Sequence, residues 1–416
     1  MNSATRWALA VAVAALGCGA AQADSLRERM LRQYALDFGL LRPENTWIEY
    51  DLPVVEVGKR IFESTLLSSN GDIACASCHL DRFGSTDGLP TAVGVEGQSF
   101  GAKRVELGGD PQPRNALPLW ARGNKGFNVM FWDGRVERVK DGQIRSQFGE
   151  DAPSDDPLTV AAHLPPLELG EMVFDREGAN AWYQKEDVNV ADAFSSTILA
   201  RLRQESSLIQ ELAEAYDMPV EEIRFSNVIA AAAHFIAYNF RLKPTRLHRF
   251  VFEGEDLSDA ELRGGLVFYG SGQCAYCHNG PYFSDLSFHV IPFPQLGFGF
   301  NGFGVDYGRY NVTQNPDDLF AFRTPPLLNV SGTAPYSHSG SVPDLGSAIR
   351  YHIDPLAVPL PDKLRPEERQ QYARRIGLWA NGYPFTSRIS DEDIADLVEF
   401  LSTLTYQSEL SVAEIE

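Results

Sequence analysis

Basic side chains and long apolar runs are both scarce in this 416-residue chain. Lysine and arginine together number 36 against 56 aspartates and glutamates, which gives a formal net charge of −20 at pH 7. Such a surface repels nucleic acid and anionic lipid, so we expect neither as a partner, although solubility alone also explains the acidity. No segment after residue 23 approaches the roughly 20 apolar residues that a membrane span requires, so we expect no transmembrane helix.

The sequence also lacks long runs of alternating apolar and polar residues, which argues against a substantial β-sheet. Apolar residues recur instead at three- and four-residue spacing over 191–204 and 220–242, and residues 390–393 form a capping box that opens a last helix. Long Gly/Pro-rich stretches cover 84–126 and 279–347. Loops of this length are unusual in a compact domain unless they are functional. The predicted fold class is mainly α, with long irregular loops.

Cysteine is rare as well, and four of the five cysteines belong to two copies of one pattern. Residues 75–79 and 274–278 both follow C-x-x-C-H, the attachment pattern for a c-type haem. Two thiols three positions apart can each form a thioether to one porphyrin edge, and the histidine that follows can ligate the iron. A zinc site or a redox dithiol is the alternative for a C-x-x-C pair. We expect two covalently bound haems c, attached through Cys75, Cys78, Cys274 and Cys277 and ligated by His79 and His278.

The fifth cysteine, Cys18, lies in an N-terminal segment with the features of a secretory signal peptide. Arg6 is followed by an apolar run over 7–15, and the Ala-Gln-Ala sequence that ends at Ala23 is an A-x-A cleavage site. Lipoprotein processing at Cys18 is the alternative, but the residues before it fit that pattern poorly. We therefore expect residues 1–23 to be removed and the mature protein to lie in the periplasm, where c-type haem is attached.

Similar segments precede the two haem motifs, which indicates an internal duplication. Residues 58–62 and 264–268 both follow the pattern G-x-x-[IV]-F, typical here of a short amphipathic helix that leads into the haem-binding turn. We expect two cytochrome c-like haem domains after the signal peptide, an N-terminal one over 24–248 and a C-terminal one over 249–416. The last helix is the one element that we allow to pack back on the N-terminal domain.

Five further motifs follow in a characteristic order: Arg114-Asn115, Phe131-Trp132-Asp133-Gly134-Arg135, Gly170-Glu171-Met172, Phe322-Arg323-Thr324-Pro325 and Thr333-Ala334-Pro335-Tyr336. With these motifs the chain resembles the bacterial dihaem cytochrome c peroxidase family, which includes the MauG-type enzymes. The resemblance extends over about residues 55–405. It does not cover the first 30 residues after the signal peptide or an insertion at about 140–165.

The resemblance implies a peroxidatic haem in the N-terminal domain, with His79 as its proximal ligand, and an electron-transfer haem in the C-terminal domain, with His278 as its proximal ligand. Trp132 corresponds to the tryptophan between the two haems, where its indole would carry an electron. Its other interpretation is a core tryptophan packed on porphyrin.

Glu171 corresponds to the family's distal carboxylate above the peroxidatic iron. Cleavage of peroxide needs a group that takes a proton from one oxygen and returns it to the other, and desolvation would raise the pKa of a glutamate toward the working pH. The alternative is an exposed helix-cap glutamate, since Glu168 lies close by. Gln143 and Gln147 are candidates for a second polar contact.

Two departures from the family pattern concern iron coordination. Many members have a histidine that caps the resting iron in the loop before the Arg-Asn motif, but this chain has none between Leu80 and Asn115. We therefore expect a five-coordinate N-terminal haem, as in MauG-type enzymes. The distal ligand of the second haem falls 19 residues after Thr333, which gives His352 where other members have methionine or tyrosine. Tyr351, one position away, is the alternative ligand, and a surface histidine is the other interpretation of His352.

Two further sites follow from the resemblance alone. His338 matches a haem-adjacent histidine that hydrogen-bonds near a propionate rather than ligating iron. Asn115, Thr333 and Pro335 match the positions that bind one calcium ion between the domains through a side-chain amide and backbone carbonyls, a ligand set that suits calcium. Asn115 is otherwise a plain turn residue.

The predicted function is that of a periplasmic dihaem c-type peroxidase of the MauG-like type. It would reduce hydrogen peroxide at the N-terminal haem and receive electrons through the second haem from a small cytochrome c or a cupredoxin. One alternative is a MauG-like enzyme that uses peroxide to oxidise residues of a partner protein. The other is a dihaem electron-transfer or sensor protein without peroxide turnover. The sequence leaves a homodimer open.

Overall fold

The structure, a computed structural model, describes residues 26–173, 190–356, 364–382 and 389–405. The predicted signal peptide lies outside these residues. In the described part of the chain, no helix is both long and apolar enough to cross a membrane.

Helices dominate the described residues, which confirms the predicted mainly α fold. The first helix, α1, covers 26–37. The others are α2 Leu52–Glu63, α3 Cys75–Cys78, α4 Ala102–Glu106, α5 Pro157–Ala162, α6 Val190–Gln204, α7 Ser206–Ala215, α8 Phe225–Asn239, α9 Arg246–Glu253, α10 Asp259–Tyr269, α11 Tyr310–Thr313, α12 Leu345–Ile353, α13 Pro366–Gly382 and α14 Asp391–Ser402.

The strands of the described residues are two or three residues long and form two small antiparallel sheets. In the first sheet, Met130 pairs with Val136 and Glu137 pairs with Arg145, whereas in the second Phe288 pairs with Arg323. The strands are β1 Val129–Met130, β2 Val136–Arg138, β3 Ile144–Arg145, β4 Phe288–His289 and β5 Phe322–Arg323. Long connections over 84–126 and 290–321 account for most of the remaining chain between helices.

Local sequence signals locate several helix ends. The Ser390 hydroxyl accepts a hydrogen bond from the Asp393 amide at 3.1 Å and so caps α14, as the capping box predicts. The helix predicted over 220–242 begins later, at Phe225, because residues 220–222 form a separate 3₁₀ turn. It ends at Asn239, shortly before Pro244, which cannot continue a helix.

Two helix pairs, α2 with α8 and α10 with α14, form the cores of the two halves. In each pair a glycine of the G-x-x-[IV]-F pattern lies at the crossing point. A Cβ on Gly58 would lie 2.0 Å from the Ala231 carbonyl oxygen, and a Cβ on Gly264 would lie 1.9 Å from that of Asp396. Both crossings therefore require glycine, and the repeated pattern has one packing role in both halves.

The N-terminal segment packs against the C-terminal half, which differs from the predicted domain division. Leu31 is completely buried in the core that contains α10 and α14. The Phe38 ring lies 5.6 Å from that of Tyr269, and the Phe38 carbonyl accepts a hydrogen bond from the Gly280 amide at 2.8 Å. Residues 26–40 fall within the predicted N-terminal haem domain (24–248) but pack on the C-terminal half.

The last helix makes its most extensive contacts in the C-terminal half. It packs on α10, where the Phe400 ring lies 5.2 Å from that of Phe268 and Asp396 pairs with Arg263 at 2.7 Å. The reason is the close glycine crossing at Gly264, which lets the two backbones approach.

Candidate functional site

Two large cavities lie one in each half of the molecule, and each is lined by one C-x-x-C-H motif. The first cavity contains Cys75, Cys78 and His79 in its wall and has a volume of about 1830 Å³, including the space open to solvent. The second contains Cys274, Cys277 and His278 and has a volume of about 1560 Å³, measured in the same way. Trp132 and Asn115 line both cavities, so the two spaces adjoin.

The histidines of both motifs are oriented in the same way. The His79 Nδ1 lies 2.9 Å from the Ser85 carbonyl oxygen, and the His278 Nδ1 lies 3.0 Å from that of Phe283. A bond at Nδ1 leaves Nε2 available to a metal and sets the ring's orientation. Burial lowers the pKa of both imidazoles to about 4, so both are neutral at pH 7, the form that ligates a metal.

The thiols do not resemble those of a zinc site or a redox pair. Burial raises the pKa of the Cys75 thiol to about 12 and likewise that of Cys274, whereas reactive thiols have lowered pKa values. Among the described residues, the one group of three or more side chains with metal-ligand spacing consists of Cys277, Asp285 and His289. A structural zinc site takes four ligands, so neither motif completes one.

Each cavity also contains a buried arginine to which the sequence motifs assign no role in haem binding. Arg122 lines the first cavity and Arg323 the second. Each has an Nη2 atom that is buried without a hydrogen-bond partner, and burial lowers the pKa of Arg323 to about 9. Two buried guanidiniums that face two cavities suit a group with carboxylates, such as the propionates of a haem. No local pattern in the sequence marks Arg122.

Glu171 lines the first cavity together with His79. Burial, and then the charge of Glu168, raise the pKa of Glu171 to about 7, against an opposing effect of Arg135. Glu168 instead pairs with Arg135 at 3.2 Å and shows no such burial. Of the two glutamates, Glu171 is therefore the one that is poised to exchange a proton near neutral pH.

A close backbone contact fixes the turn that carries Glu171. A Cβ on Gly94 would lie 1.8 Å from the Gly170 carbonyl oxygen, and the Val95 amide donates to that oxygen at 3.1 Å. Gly170 itself has a φ of +77°, a conformation that favours glycine. The Gly-Glu-Met motif thus places Glu171 through its backbone.

A buried ion network connects this region to the C-terminal half. Arg114 pairs with Asp133 at 2.6 Å and with Asp306 at 2.7 Å, and Arg135 pairs with Asp133 at 3.0 Å. The Arg114 guanidinium holds the pKa of Asp306 below its usual range although burial opposes it. Because every charge here has a partner, the network can fix the relative position of the two cavities.

Trp132 is buried between the two cavities. Its Nε1 donates to the Asn115 carbonyl oxygen at 3.0 Å, which fixes the plane of the indole. The same residue contributes to the walls of both cavities. An indole in this position can contact a group in either cavity.

The second cavity contains His352 in its wall but not Tyr351. The His352 Nδ1 lies 2.8 Å from the Ala348 carbonyl oxygen, and its ring centroid lies 6.4 Å from that of His278. A metal–imidazole bond is about 2 Å, so this spacing suits one metal between the two rings. Tyr351 is buried and contacts Phe293 at a ring distance of 5.5 Å, as His352 does, but it is not among the residues that line the cavity.

His338 is buried in the wall of the second cavity. Its Nε2 lies 2.8 Å from the Gln295 Oε1, and its ring stacks on Phe322 at 3.8 Å. Burial lowers the pKa of His338 to about 3, so the side chain is neutral at pH 7. With Nε2 engaged by Gln295, His338 is arranged to support the cavity wall rather than to ligate a metal.

The three residues of the predicted calcium site all line the second cavity. The Asn115 amide lies 2.7 Å from the Leu89 carbonyl oxygen and 3.5 Å from that of Pro335. Thr333 lies nearby on the same loop, where its hydroxyl donates to the Val330 carbonyl at 3.1 Å. Oxygen atoms from two separate loops therefore surround the Asn115 Nδ2, and a cation in their midst would need this amide turned so that Oδ1 faces it.

The insertion at about 140–165 forms part of the first cavity. It contains α5, which contributes Leu158 and Ala161 to the wall. Gln143 and Gln147, the candidates for a second polar contact, are exposed and lie outside that wall. Arg135 and Gln112 are among the polar side chains that line the cavity together with Glu171.

Comparison with known proteins gives a consistent result. A sequence profile of the di-haem cytochrome c peroxidase family matches residues 53–256. Cytochrome c peroxidase Ccp of Escherichia coli is 27% identical over 302 residues, which span 72% of this chain and 53% of that protein. Cytochrome c551 peroxidase of Pseudomonas aeruginosa is 28% identical over 71% of this chain and 70% of its own length. The methylamine utilization protein MauG of Methylorubrum extorquens is 25% identical over 93% of this chain and 88% of its own.

Two solved structures share the fold. A MauG-like protein associated with microbial copper homeostasis superposes with a TM-score of 0.60 and 23% identity, over 88% of this chain and 92% of that one. The diheme peroxidase BthA from Burkholderia thailandensis gives a TM-score of 0.60 and 19% identity, over 88% and 89% of the two chains. The chain belongs to the family of di-haem cytochrome c peroxidases and MauG proteins.

Proposed function

We propose that the protein is a periplasmic dihaem c-type peroxidase of the MauG-like type, which reduces hydrogen peroxide in its first cavity. The observation that carries this proposal is Glu171, whose pKa is raised to about 7 in a cavity where His79 is the only histidine among the described lining residues. One side of a metal on His79 is thus left without a second imidazole, and a proton-exchanging group is present there. A pure electron carrier needs neither feature.

Two haems would be held by residues of this chain alone. Cys75 and Cys78 would form the thioethers of the first, with His79 as its ligand, and Arg122 would pair with a propionate. Cys274 and Cys277 would attach the second, with Arg323 facing its propionates and His278 and His352 as its two iron ligands. The buried guanidiniums without partners and the 6.4 Å spacing of the two imidazoles support this assignment.

A bound haem would supply the iron at which peroxide binds and the electrons that reduce it; the chain would relay protons, and the two that are consumed come from solvent. Glu171 takes a proton from one peroxide oxygen and returns it to the other, so that water can leave. Two electrons and two protons convert one peroxide to two waters. A carboxyl group with a pKa near 7 is suited to both halves of this transfer.

Electrons would reach the first cavity through Trp132. Its indole lines both cavities, and the hydrogen bond to Asn115 holds it in one orientation. The donor to the second haem would be a small cytochrome c or a cupredoxin. Calcium at Asn115, Thr333 and Pro335 would stiffen this contact between the halves, and the convergence of carbonyl oxygens at Asn115 supports such a site.

Oxidation of a partner protein is the second candidate function. MauG of Methylorubrum extorquens aligns over 93% of this chain, whereas the peroxidase of Pseudomonas aeruginosa aligns over 71%. His352 also departs from the methionine of other peroxidases. In this case the oxidising equivalents from peroxide would pass to an aromatic residue of the partner instead of being quenched by a small donor protein.

Replacement of Glu171 tests the proposed function. Glu171→Gln keeps the shape of the side chain and its hydrogen bonding but removes the proton exchange. Peroxide-driven oxidation of the haems, followed by stopped-flow absorbance, should slow by at least about a hundredfold, the lower range for general acid–base catalysis. Glu106→Gln, an exposed position away from the cavity, is the matched control and should keep the wild-type rate. An unchanged rate in Glu171→Gln would contradict the proposal.

A further inference from the structure

The opening of the first cavity is marked by two exposed apolar side chains. Of the described residues that line this cavity, only Leu169 and Phe300 are strongly exposed, at 51% and 40%. A side chain that both lines a cavity and faces solvent lies at its mouth. The mouth is therefore bounded by Leu169 on one side and Phe300 on the other.

The two sides of the mouth come from different halves of the molecule. Leu169 lies on the turn that carries Glu171, in the N-terminal half. Phe300 lies on the loop 296–304, between the two sheet strands β4 and β5 of the C-terminal half. The opening thus lies at the end of the cavity where the proton-exchanging carboxyl group is found.

The loop that carries Phe300 is tightly closed. Asn301 donates to the Val305 carbonyl at 3.0 Å, and Gly304 donates to that of Phe298 at 2.7 Å. Gly299 has a φ of +72°, and a Cβ there would lie 2.2 Å from the Val305 carbonyl oxygen. A loop with this backbone presents its side chains in fixed directions.

Phe300 is also fixed by its contacts. The guanidiniums of Arg114 and Arg135 both lie 4.6 Å from the ring centroid. Arg135 in turn pairs with Glu168, the residue before Leu169, at 3.2 Å. A continuous set of contacts, from Phe300 through Arg135 to Glu168, therefore holds the two sides of the mouth at a set distance.

We propose that Phe300 is the gate that sets the size of the peroxide reaching the first cavity, an inference that rests on the proposed peroxidase function. Hydrogen peroxide passes between Phe300 and Leu169, whereas alkyl hydroperoxides with bulky substituents are excluded by the ring. Phe300 belongs to the C-terminal half, whereas the C-x-x-C-H motif of this cavity belongs to the N-terminal half. Phe300 itself is a specificity-determining residue and takes no part in proton exchange.

Ligand binding to the ferric holoenzyme tests the gate without turnover. Cyanide is a small probe and imidazole a bulky one, and both are followed by the absorbance change of the first haem. Phe300→Ala should raise the association rate constant of imidazole by about tenfold or more, because a gate at the mouth limits the rate of entry, while that of cyanide changes by less than about twofold. In turnover, the same variant should raise kcat/KM for tert-butyl hydroperoxide relative to hydrogen peroxide.

Two variants separate the gate from other effects. Phe303→Ala, in the same loop but 86% exposed and outside the cavity wall, should leave the imidazole-to-cyanide ratio of association rate constants unchanged. Phe300→Leu keeps much of the bulk but removes the aromatic face from Arg114 and Arg135, so it should stay close to wild type. If Phe300→Leu changes the ratio as strongly as Phe300→Ala, the ring acts through the arginines and the gate is wrong.

The remaining outcomes are also decisive. Equal changes for cyanide and imidazole in Phe300→Ala, or the same effect in Phe303→Ala, would overturn the proposal. If Phe300→Ala fails to retain haem, Phe300→Trp provides the opposite test. A larger ring should lower the association rate constant of imidazole and leave that of cyanide unchanged. A holoenzyme that binds cyanide and imidazole but does not consume hydrogen peroxide would contradict the proposed function. The ligand-binding test of the gate would still be valid in that case.

Discussion

At the scale of single residues, two glutamates three positions apart differ sharply in environment. Glu168 pairs with Arg135 at the cavity mouth, whereas Glu171 lines the cavity and has its pKa raised to about 7. The charge of Glu168 is the second cause of that rise, after burial. In the proposed function the two residues act together, one as the proton carrier and the other as a charge that raises its pKa.

The pH dependence of peroxide reduction should report this arrangement. A base in the free enzyme must be deprotonated, so kcat/KM for hydrogen peroxide should rise with pH through about 7. Glu168→Gln removes a charge that raises the pKa of Glu171, so the rise should move to lower pH. Glu171→Gln should lose the rise altogether. A pH profile that is the same in all three proteins would show that another group titrates.

His352 and Tyr351 are neighbours in sequence on α12. The sequence alone left both as candidate ligands because a shift of one residue exchanges them. Both rings contact Phe293, but of the two only His352 lines the second cavity.

Replacement of each residue tests this ligand assignment. His352→Ala should convert the low-spin second haem into a high-spin one, because it removes one of the two imidazoles. Tyr351→Phe is the matched control and should keep the low-spin signal in the electron paramagnetic resonance spectrum. The reverse pattern would make the tyrosine the ligand.

At the scale of elements, the repeated G-x-x-[IV]-F pattern acquires a physical meaning. Gly58 and Gly264 allow α2 to cross α8 and α10 to cross α14 at backbone contact. The helix that precedes each C-x-x-C-H motif is thereby held at a fixed distance from its partner. The motif that follows each helix takes its position from this crossing.

A methyl group at the crossing should therefore destabilise the protein. Gly264→Ala would place a Cβ 1.9 Å from the Asp396 carbonyl oxygen, so α10 and α14 must separate. Overpacking of this kind costs roughly 1–3 kcal/mol, to be measured as a lower free energy of unfolding of the holoprotein in denaturant. Gly377→Ala, on α13 with no atom within 4 Å of the added Cβ, should instead stabilise the protein by about 0.4–1 kcal/mol. Equal effects at the two glycines would contradict the crossing argument.

Some features of the fold could be predicted from the sequence, whereas others depend on contacts between residues far apart in the chain. The C-x-x-C-H motifs and the Ser390 cap were predictable because each depends on residues close in sequence, whereas the Gly-Glu-Met motif was found through the family resemblance. The packing of residues 26–40 on the C-terminal half was not predictable, since Phe38 meets Tyr269 across more than half of the chain. Phe300 at the mouth of the first cavity depends in the same way on a contact between the two halves.

At the scale of the whole molecule, two similar halves have acquired different cavities. Both contain a C-x-x-C-H motif, a histidine oriented through Nδ1 and a buried arginine. The second cavity adds His352 opposite His278, whereas the first adds Glu171 and, among its described lining residues, no second histidine. We propose that this difference makes one haem closed and the other open to peroxide.

Among its described lining residues, the first cavity contains one other side chain of a type that ligates haem iron. Met130 is buried and lines the cavity wall, and its thioether is a candidate for the position that we assign to peroxide. The coordination of the first haem therefore decides between an open, reactive site and a second closed one.

The ferric electron paramagnetic resonance spectrum of the holoprotein tests this central claim most directly. An intact mass that exceeds the processed chain by two haems is the control that both cavities are filled covalently. The spectrum should then show one high-spin haem and one low-spin haem in equal amounts, and His352→Ala should remove only the low-spin signal. Two low-spin haems, with one converted to high spin by Met130→Leu, would show that the first haem is closed and would contradict the account.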